Sequence, residues 1–422
     1  MPVATDITTP PLLREGHSYL EVYEQHVTDA AFLWLLRSIA VDQPSNTLTE
    51  IIDLDQRLAA ELDGLMTVMD LGWQACELAL VSGEPGEVFT AMVVAIRSHE
   101  APKIQKALEV GLASARTLDG LISALGWLPS DLVWPWIEKF LNSKDLNHKY
   151  LGLAACSVRR EDPGAHLTAI LQREDCRSHA KLHGRALRLI GELRRQDLMS
   201  ALEAAAGSPE PTVAFWANWS AILLGNKAMV MNLQPFAFHR GPYQAEAIQL
   251  AFRALPIALA REWITKLAAD PAQIRAVTQA IGALGDPHAV NWLIAKMANP
   301  PLARLAGEAF TSITGVDLDK HQLSCAAPTG QSLIPSGDMS DAYVGIDEDE
   351  NLPWPDVEKV AGLWRNQGHQ FLVGQRYFLG KPITLDHLKH KLSAATQRQR
   401  HAAALELALL DVGPPLINTR AR

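Results

Sequence analysis

The chain has 422 residues, of which 48% are hydrophobic and 20% charged, so it can bury a large core without disulfides and has a globular composition. Its 38 basic and 47 acidic residues give a net charge of −9, which argues against general binding to nucleic-acid phosphates. The longest wholly apolar run, Ala30 to Leu36, is too short for a bilayer span, and the first residues do not have the pattern of a secretory signal. We therefore expect a cytoplasmic protein that binds neither membranes nor nucleic acid.

Four cysteines are scattered along the chain, at positions 76, 156, 176 and 325. No two of them have the spacing of a zinc or redox motif, and so few thiols in a chain of this length fit a reducing compartment. The sequence thus predicts no metal, no cofactor and no disulfide framework.

Residues 1–85 are predicted to form an N-terminal helical region. His17 to Ala40 has the pattern of one long helix, and Thr47 to Leu80 that of one or two more. Thr47 followed by Glu50 matches a capping box, which supports a helix start at this point.

Residues 86–315 contain a repeated pattern. Glycines that end predicted helices are separated by 65, 34, 60 and 30 residues, which are single or double steps of about 30 to 34; they are Gly126, Gly191, Gly225, Gly285 and Gly315. Two apolar helical stripes divided by Gly, Pro or Asp-Pro fill each step, and neither helix can bury its stripe alone. The fold class predicted is all-α, a HEAT-like α-solenoid of antiparallel helix pairs.

The remaining two segments are a linker and a C-terminal extension. Residues 316–352 lose the helical period and gather Pro, Gly, Ser and Asp, which is typical of an acidic linker or long loop. Residues 353–422 are predicted to be a helical extension, with an extended stretch from Gln370 to Thr384 that can form a short hairpin.

The excess of acidic residues is concentrated in two places. Residues 42–96 hold ten acids and a single base, Arg57, and residues 316–352 hold eight acids and one base. Ten acids cannot be neutralised within the first segment, so it can attract a basic partner, although an ordinary solvated acidic face is the alternative. The partner-binding residues predicted on this basis are Asp53, Asp55, Glu61, Asp63, Asp347, Glu348, Asp349 and Glu350.

Several stretches carry a resemblance to a known family. The run YEQHVTDAAFLWLLRSIAV, followed by LDQRLAAELDGL and, downstream, by AGEAFTSITGVDL and GQRYFLGKPIT, resembles a bacterial family of HEAT-like proteins that commonly accompany type VI secretion effectors. The resemblance covers both ends of the chain and the repeats.

The resemblance implies an accessory or immunity role and no enzymatic activity. In that role the chain binds a protein toxin, such as a nuclease with a basic cleft, and occludes its active face, as in a toxin–antitoxin pair. A scaffold or loading adaptor for a secreted effector is the second hypothesis, and a HEAT-like enzyme acting on DNA is the third. The family supplies no catalytic residues that could be transferred to this chain.

Candidate catalytic and metal-binding motifs are weak. His179 and His183 are spaced to share a helical face and could bind a metal, but no third ligand is apparent and ordinary packing histidines are the alternative. His387 and His390 form a weaker pair. Neither a nucleophile elbow nor a phosphate-binding loop is present in the sequence.

A basic set and a group of tryptophans remain. Arg177, Lys181, Arg185 and Arg188 share a predicted helical face that could bind nucleic acid, although acids interleave with them. The tryptophans are clustered, and most are expected to fill the core while one or two could anchor a partner; the two clusters are Trp127, Trp134 and Trp136, and Trp216 and Trp219.

Overall fold

The computed structural model of the protein describes residues 16–328 and 347–422, and the side chains among them from Tyr19 onward. The all-α prediction is confirmed, because this part of the chain holds 22 α-helices and two sheets of two short strands each. The first 15 residues and residues 329–346 of the predicted linker lie outside the described residues.

The chain forms two compact units. Among the described residues, the first consists of 16–40, 49–159 and 421–422, and the second of 41–48, 160–328 and 347–420. The division therefore falls inside the predicted repeat array of 86–315, and the described parts of the predicted linker and the extension as far as residue 420 belong to the second unit.

The first unit contains eight helices. They are α1 (Gly16–Ala40), α2 (Leu48–Leu65), α3 (Met69–Ala79), α4 (Pro85–Ser98), α5 (Ala101–Leu112), α6 (Ala115–Trp127), α7 (Ser130–Asn142) and α8 (Leu146–Arg159). A single 3-10 turn, Leu80–Ser82, extends α3.

The even-numbered helices α4, α6 and α8 of the first unit pack against one another in succession. Helix α4 contacts α6, α6 contacts α8, and α5 and α7 join them as the partners of helix pairs. Residues 88 to 96 of α4 are all buried, and Phe89 stacks on Trp34 at 6.0 Å and meets Trp127 edge-on at 5.8 Å. Aromatic contacts of this kind add to the burial of apolar area that stabilises the core.

The second unit contains the other fourteen α-helices. They are α9 (Ala165–Gln172), α10 (Glu174–Arg177), α11 (Ala180–Leu193), α12 (Met199–Ala205), α13 (Pro211–Leu223), α14 (Gln234–Phe238), α15 (Gln244–Ala254), α16 (Ile257–Leu267), α17 (Ile274–Leu284), α18 (Val290–Lys296), α19 (Pro300–Thr314), α20 (Val357–Gln367), α21 (Leu385–Ala394) and α22 (Gln397–Leu410). The 3-10 helices are Gln196–Leu198, Lys227–Leu233, Pro271–Gln273, Pro287–Ala289 and Gly368–Gln370.

The strands lie in the second unit and pair antiparallel. Strand β1 (Ser324–Cys325) pairs with β2 (Trp354–Pro355), and β3 (Tyr377–Phe378) pairs with β4 (Lys381–Pro382). The second pair is the hairpin predicted between Gln370 and Thr384, which is confirmed.

A row of helices organises the second unit. Helices α11, α13, α15, α17 and α19 each contact the next, and α12, α14, α16 and α18 each pack on the row helix that follows them. This is the predicted stack of helix pairs. We call α11, α13, α15, α17 and α19 the row helices. Helix α22 comes from the predicted extension and packs across two of them, α13 and α15.

The repeat from Asp286 to Gly315 shows how sequence sets these boundaries. The Asp286 side chain accepts a hydrogen bond from the His288 N–H at the start of the 3-10 turn that leads into α18. Helix α19 begins at Pro300 and ends at Gly315, whose φ of +71° suits glycine. The predicted helix pair is confirmed.

Close approach of α11 and α13 depends on Gly191. A Cβ atom at this position would lie 2.5 Å from the Ser220 Oγ and 2.7 Å from the Ser220 Cα, and the Cα cannot move without the α13 backbone. The row spacing at this point therefore requires a residue without a side chain.

We expect Gly191→Ala to lower the free energy of unfolding by about 1 to 3 kcal/mol, because the added methyl group overpacks the contact between α11 and α13. Urea unfolding followed by circular dichroism measures the change. Gly207→Ala is the control, since a Cβ at Gly207 meets no atom within 4 Å. Equal stability of the two variants would contradict the prediction.

Candidate functional site

A cavity of about 570 Å³ lies within the second unit, between the row helices and α22. Its walls come from all five row helices, from α22 and from residues 416–420 that follow it. Cavities of this size with mixed apolar and charged walls are the usual place to look for a binding site.

One wall of the cavity holds a carboxylate between two arginines. The Nε of Arg188 donates to Glu192 at 2.9 Å, and an Nη of Arg160 lies 3.3 Å from the other carboxylate oxygen. The Arg188 guanidinium also stacks 4.4 Å from the ring centre of Trp216. Burial lowers the pKa of both arginines, and the Glu192 charge opposes this shift. The cluster is therefore a compensated ion group packed on an aromatic ring.

The cavity is also lined by a second ion pair, Arg398 with Glu308. Arg398 of α22 donates to the Glu308 carboxylate at 2.8 Å and to the Glu348 carbonyl at 2.6 Å. Burial raises the pKa of Glu308, and the Arg398 charge acts against that rise. The pair ties α22 to α19.

A third group lies at the base of α22. The Glu406 carboxylate accepts from Arg376 and lies 3.5 Å from the Nε of Arg253. Burial raises the pKa of Glu406 and lowers that of Arg253 to about 10. Arg376 also donates to the Leu284 carbonyl at 2.9 Å, so this group links α22 to the hairpin and to α17.

His401 joins α22 to two distant segments. Its Nε2 is 2.8 Å from the Val41 carbonyl and its Nδ1 is bonded to the Thr419 hydroxyl. The carbonyl can only accept, so Nε2 carries the proton and Nδ1 accepts. Burial first, and Arg420 second, lower the pKa of His401 to about 4, while Asp42 raises it weakly from 3.9 Å. The imidazole is therefore neutral at pH 7.

Each charged group of the cavity described above forms an ion pair or a hydrogen bond with another residue of the protein. Two further polar side chains in its walls, Glu246 and Gln279, form no hydrogen bond or ion pair with any residue between 16 and 328 or 347 and 422. Over the same ranges, no group of three or more His, Cys, Asp or Glu side chains is placed to hold a metal ion. The arrangement can bind a polar ligand or a chain segment.

The predicted acidic residues of α2 are mostly engaged in ion pairs. Asp55 is only 6% exposed and pairs with Arg37. Glu61 lies 2.7 Å from His26. Asp63 pairs with Arg97 at 2.8 Å, although its own side chain is exposed. Their partners His26, Arg37 and Arg97 lie outside residues 42–96, so the net charge of that segment does not include them.

Asp53 is the exception among the four predicted acids of α2. It is exposed and forms no ion pair among the residues that the structure describes. The four acids therefore do not form one interaction surface. Reversing all of them would place a lysine in the buried position of Asp55 beside Arg37, and would test folding instead of binding.

The acids at the end of the linker lie against the row helices. Asp347 pairs with Arg304 at 2.6 Å, and Asp349, which is 4% exposed, pairs with Arg275 at 2.6 Å. Glu348 lies 3.1 Å from Arg275. Only Glu350 of the four predicted residues is exposed without an ion pair within the described ranges. This acidic run holds the end of the linker to α17 and α19, so it is not an open surface.

The exposed side of α3 is a further surface, which the charge pattern of the sequence alone did not predict. Asp70, Gln74, Glu77, Leu78 and Val81 are all exposed, and their spacing places them on one side of α3 and of the turn that extends it. Val81 is 87% exposed and Leu78 is 52% exposed. Neither Asp70 nor Glu77 forms an ion pair with a described residue. The sequence contains a pattern that predicts this surface, because acidic and apolar residues recur on this side of the helix every three or four positions.

Two of the histidine candidates, His179 and His387, form contacts within the fold. His179 caps α11 by accepting from the Leu182 N–H at 3.1 Å, and burial lowers the pKa of His183. The Nε2 of His387 is 2.7 Å from the Phe378 carbonyl. These contacts match the alternative of ordinary packing histidines.

The predicted basic face is divided by the fold. Arg177 pairs with Glu174, and Arg188 lies in the cavity wall beside Glu192. Trp127 and Trp219 are buried, as expected for core residues. Trp216 lines the cavity beneath Arg188.

No family model matches the chain, and neither a curated protein nor a solved structure matches it. The resemblance described above therefore stays a prediction. None of the helices that the structure describes combines the length and the apolar character needed to cross a membrane.

We expect the free energy of unfolding to fall by up to about 3 kcal/mol on acidification because of His401. Its pKa is about 4 in the folded protein and 6.5 without the fold, so the unfolded chain binds the extra proton between these values and is favoured as the pH drops from 6.5 to 4. Above pH 6.5 this contribution is constant.

Urea unfolding of the wild type and of His401→Gln at pH 7 and pH 4.5 checks the prediction. The glutamine variant should lose less stability than the wild type between the two pH values, because it has no group to titrate. His369→Gln, at an exposed histidine, is the control and should behave like the wild type. Parallel pH profiles for all three proteins would refute the assignment to His401.

Proposed function

We propose that the protein is a non-enzymatic binding protein that neutralises a basic protein toxin of a type VI secretion system, as an immunity protein does. The observation that carries the proposal is the exposed side of α3, where Asp70 and Glu77 flank Leu78 and Val81. The family resemblance supports the same role.

The chemistry of this face fits a protein partner. Exposed aliphatic side chains bury apolar area on contact, and acidic neighbours that form no ion pair within the described residues favour a partner of opposite charge. Asp53 of α2 adds a further exposed acid to the first unit. A nuclease cleft, which must be basic to hold phosphates, is a partner of this kind.

Four arginines of the second unit favour this function over action on DNA. Arg188, Arg195, Arg275 and Arg304 each lie beside a carboxylate of the protein itself. A DNA-binding face needs cations that can release counterions from phosphates, and these side chains are already neutralised. Together these four arginines and their carboxylate partners offer little net positive charge to the phosphate backbone of DNA.

We expect co-expression to restore growth to cells that produce the toxin, for which the product of a neighbouring gene is the first candidate to test. The purified complex separates the two leading roles, because an immunity protein abolishes the toxin's activity and a loading adaptor leaves it intact. Growth that stays arrested despite soluble co-expression would contradict the proposal. A stable complex with full toxin activity would favour the adaptor.

The double variant Asp53→Lys with Glu77→Lys reverses two exposed acids and should slow association with the toxin by about tenfold at low ionic strength. At about 0.5 M salt the effect should be smaller, because dissolved ions screen the attraction between the charges of the two proteins. Stopped-flow fluorescence measures the rate.

The matched control is Glu138→Lys with Glu262→Lys, which makes the same charge change at exposed sites on α7 and α16. The control should change the association rate less than threefold. If the two double variants slow association equally, net charge alone acts and the α3 face is not the contact.

A further inference from the structure

We propose that the second unit contains a groove for an extended polypeptide, which residues 411–420 of the same chain occupy, and that a segment of a partner protein can take their place. These residues follow α22 and contain no helix or strand. We call them segment 411–420. The proposal does not depend on the acidic face of α3 or on the toxin.

Guanidinium groups hold the segment by its main chain. Arg194 donates to the carbonyl of Ala408 and, at longer range, to those of Asp411 at 3.4 Å and Pro414 at 3.3 Å. Arg160 donates to the Leu416 carbonyl at 2.7 Å. The Leu416 N–H in turn donates to the Glu192 carbonyl at 2.8 Å. Recognition through carbonyls and one amide is the mode by which proteins bind extended peptides with loose sequence requirements.

Two side chains set the position of the segment. Leu416 is half-buried and packs against the core of the second unit. Thr419 is buried and bonds His401, while its carbonyl accepts from Gln397 at 3.2 Å. A competing segment therefore needs an aliphatic residue in the place of Leu416, and the rest of its sequence is less restricted.

The segment itself buries little apolar surface. Thr419 is its only buried residue, and Leu416 and Asn418 are half-buried while the others are exposed. Segments with few buried apolar contacts detach at a lower free-energy cost than core helices. Replacement of segment 411–420 by another chain therefore costs less free energy than displacement of α22.

The groove keeps donor capacity that the segment does not use. The Nη1 of Arg194 is buried and has no hydrogen-bond acceptor among the described residues, and the residue as a whole is only 6% exposed. Arg194 also ends α11 at a φ of +61°, a conformation that favours glycine. An arginine at such a position is consistent with a role for its guanidinium in holding a main chain. Vacating the groove would leave this cation with the Ala408 carbonyl of α22 but without the carbonyls of Asp411 and Pro414, so we expect the site to be filled by one chain or another.

The test uses the full chain and a fluorescent peptide with the sequence of residues 411–420, DVGPPLINTR. Leu416→Asp in the protein weakens its own segment, so it should bind the peptide at least tenfold more tightly than the wild type does. Pro415→Ala, at an exposed position of the segment, is the control variant and should bind like the wild type. Circular dichroism establishes that each variant is folded.

Peptide variants test the contacts without altering the protein. N-methylation at Leu416 removes the N–H that donates to Glu192 and should reduce affinity by about tenfold or more. N-methylation at Ile417 is the matched control, because that N–H donates to no described residue, and it should reduce affinity much less. Equal losses from the two peptides would overturn the proposed main-chain recognition.

Hydrogen exchange of the wild type provides a second measurement in case Leu416→Asp does not fold. An excess of isotopically labelled peptide should speed exchange in the protein's own residues 411–420 and leave the row helices unchanged. Absence of binding to folded Leu416→Asp, or unchanged exchange with excess peptide in the wild type, would refute the groove. A concentration-dependent dimer that Leu416→Asp abolishes would assign the groove to a second copy and would also overturn the proposal.

Discussion

Helix α13 must be covered on almost every side, and much of the second unit follows from that need. Ten of its thirteen residues are buried, including Phe215 and Ile222, so a single neighbour cannot hide its apolar surface. The row helices α11 and α15 cover two of its flanks, α12 and the 3-10 helix Lys227–Leu233 cover others, and α22 completes the cover. A stack of helix pairs alone would leave part of this helix in water.

Covering the row with α22 places charged groups in a partly buried space. Glu192, Glu308 and Glu406 each lie against at least one arginine, because a carboxylate removed from water without a partner would be costly. Two of these pairs, Arg398 with Glu308 and Arg376 with Glu406, join elements far apart in the chain. Arg188, which belongs to the basic set predicted from the sequence, is thus paired with Glu192 inside the protein. The cavity is the space that remains between these pairs.

The two units offer surfaces of different kinds. The exposed side of α3 combines acidic and aliphatic side chains, a chemistry suited to a folded partner of positive charge. The groove around segment 411–420 instead binds main-chain groups through arginines, a chemistry suited to an extended chain. A protein with both can contact one partner in two ways or two partners separately. Neither contact requires the protein to carry out a reaction.

Sequence periodicity was sufficient for the fold class, for the helix pair from Asp286 to Gly315 and for the hairpin after Gln370, since all three depend on residues close in sequence. It was insufficient for the candidate sites. Asp63 looks like an unpaired acid until Arg97, 34 residues later, is found beside it. The groove unites Arg160 with Leu416 across 256 positions.

The sequence by itself determined that this protein is an all-α stack of helices, because apolar spacing and helix-ending glycines and prolines act locally. Only the tertiary structure decided which charges are exposed and which are paired. An ion pair is set by distance in space, and two charged residues carry no mark in the sequence that identifies them as neighbours. For the same reason the role of segment 411–420 is visible only once the row helices and α22 are packed together.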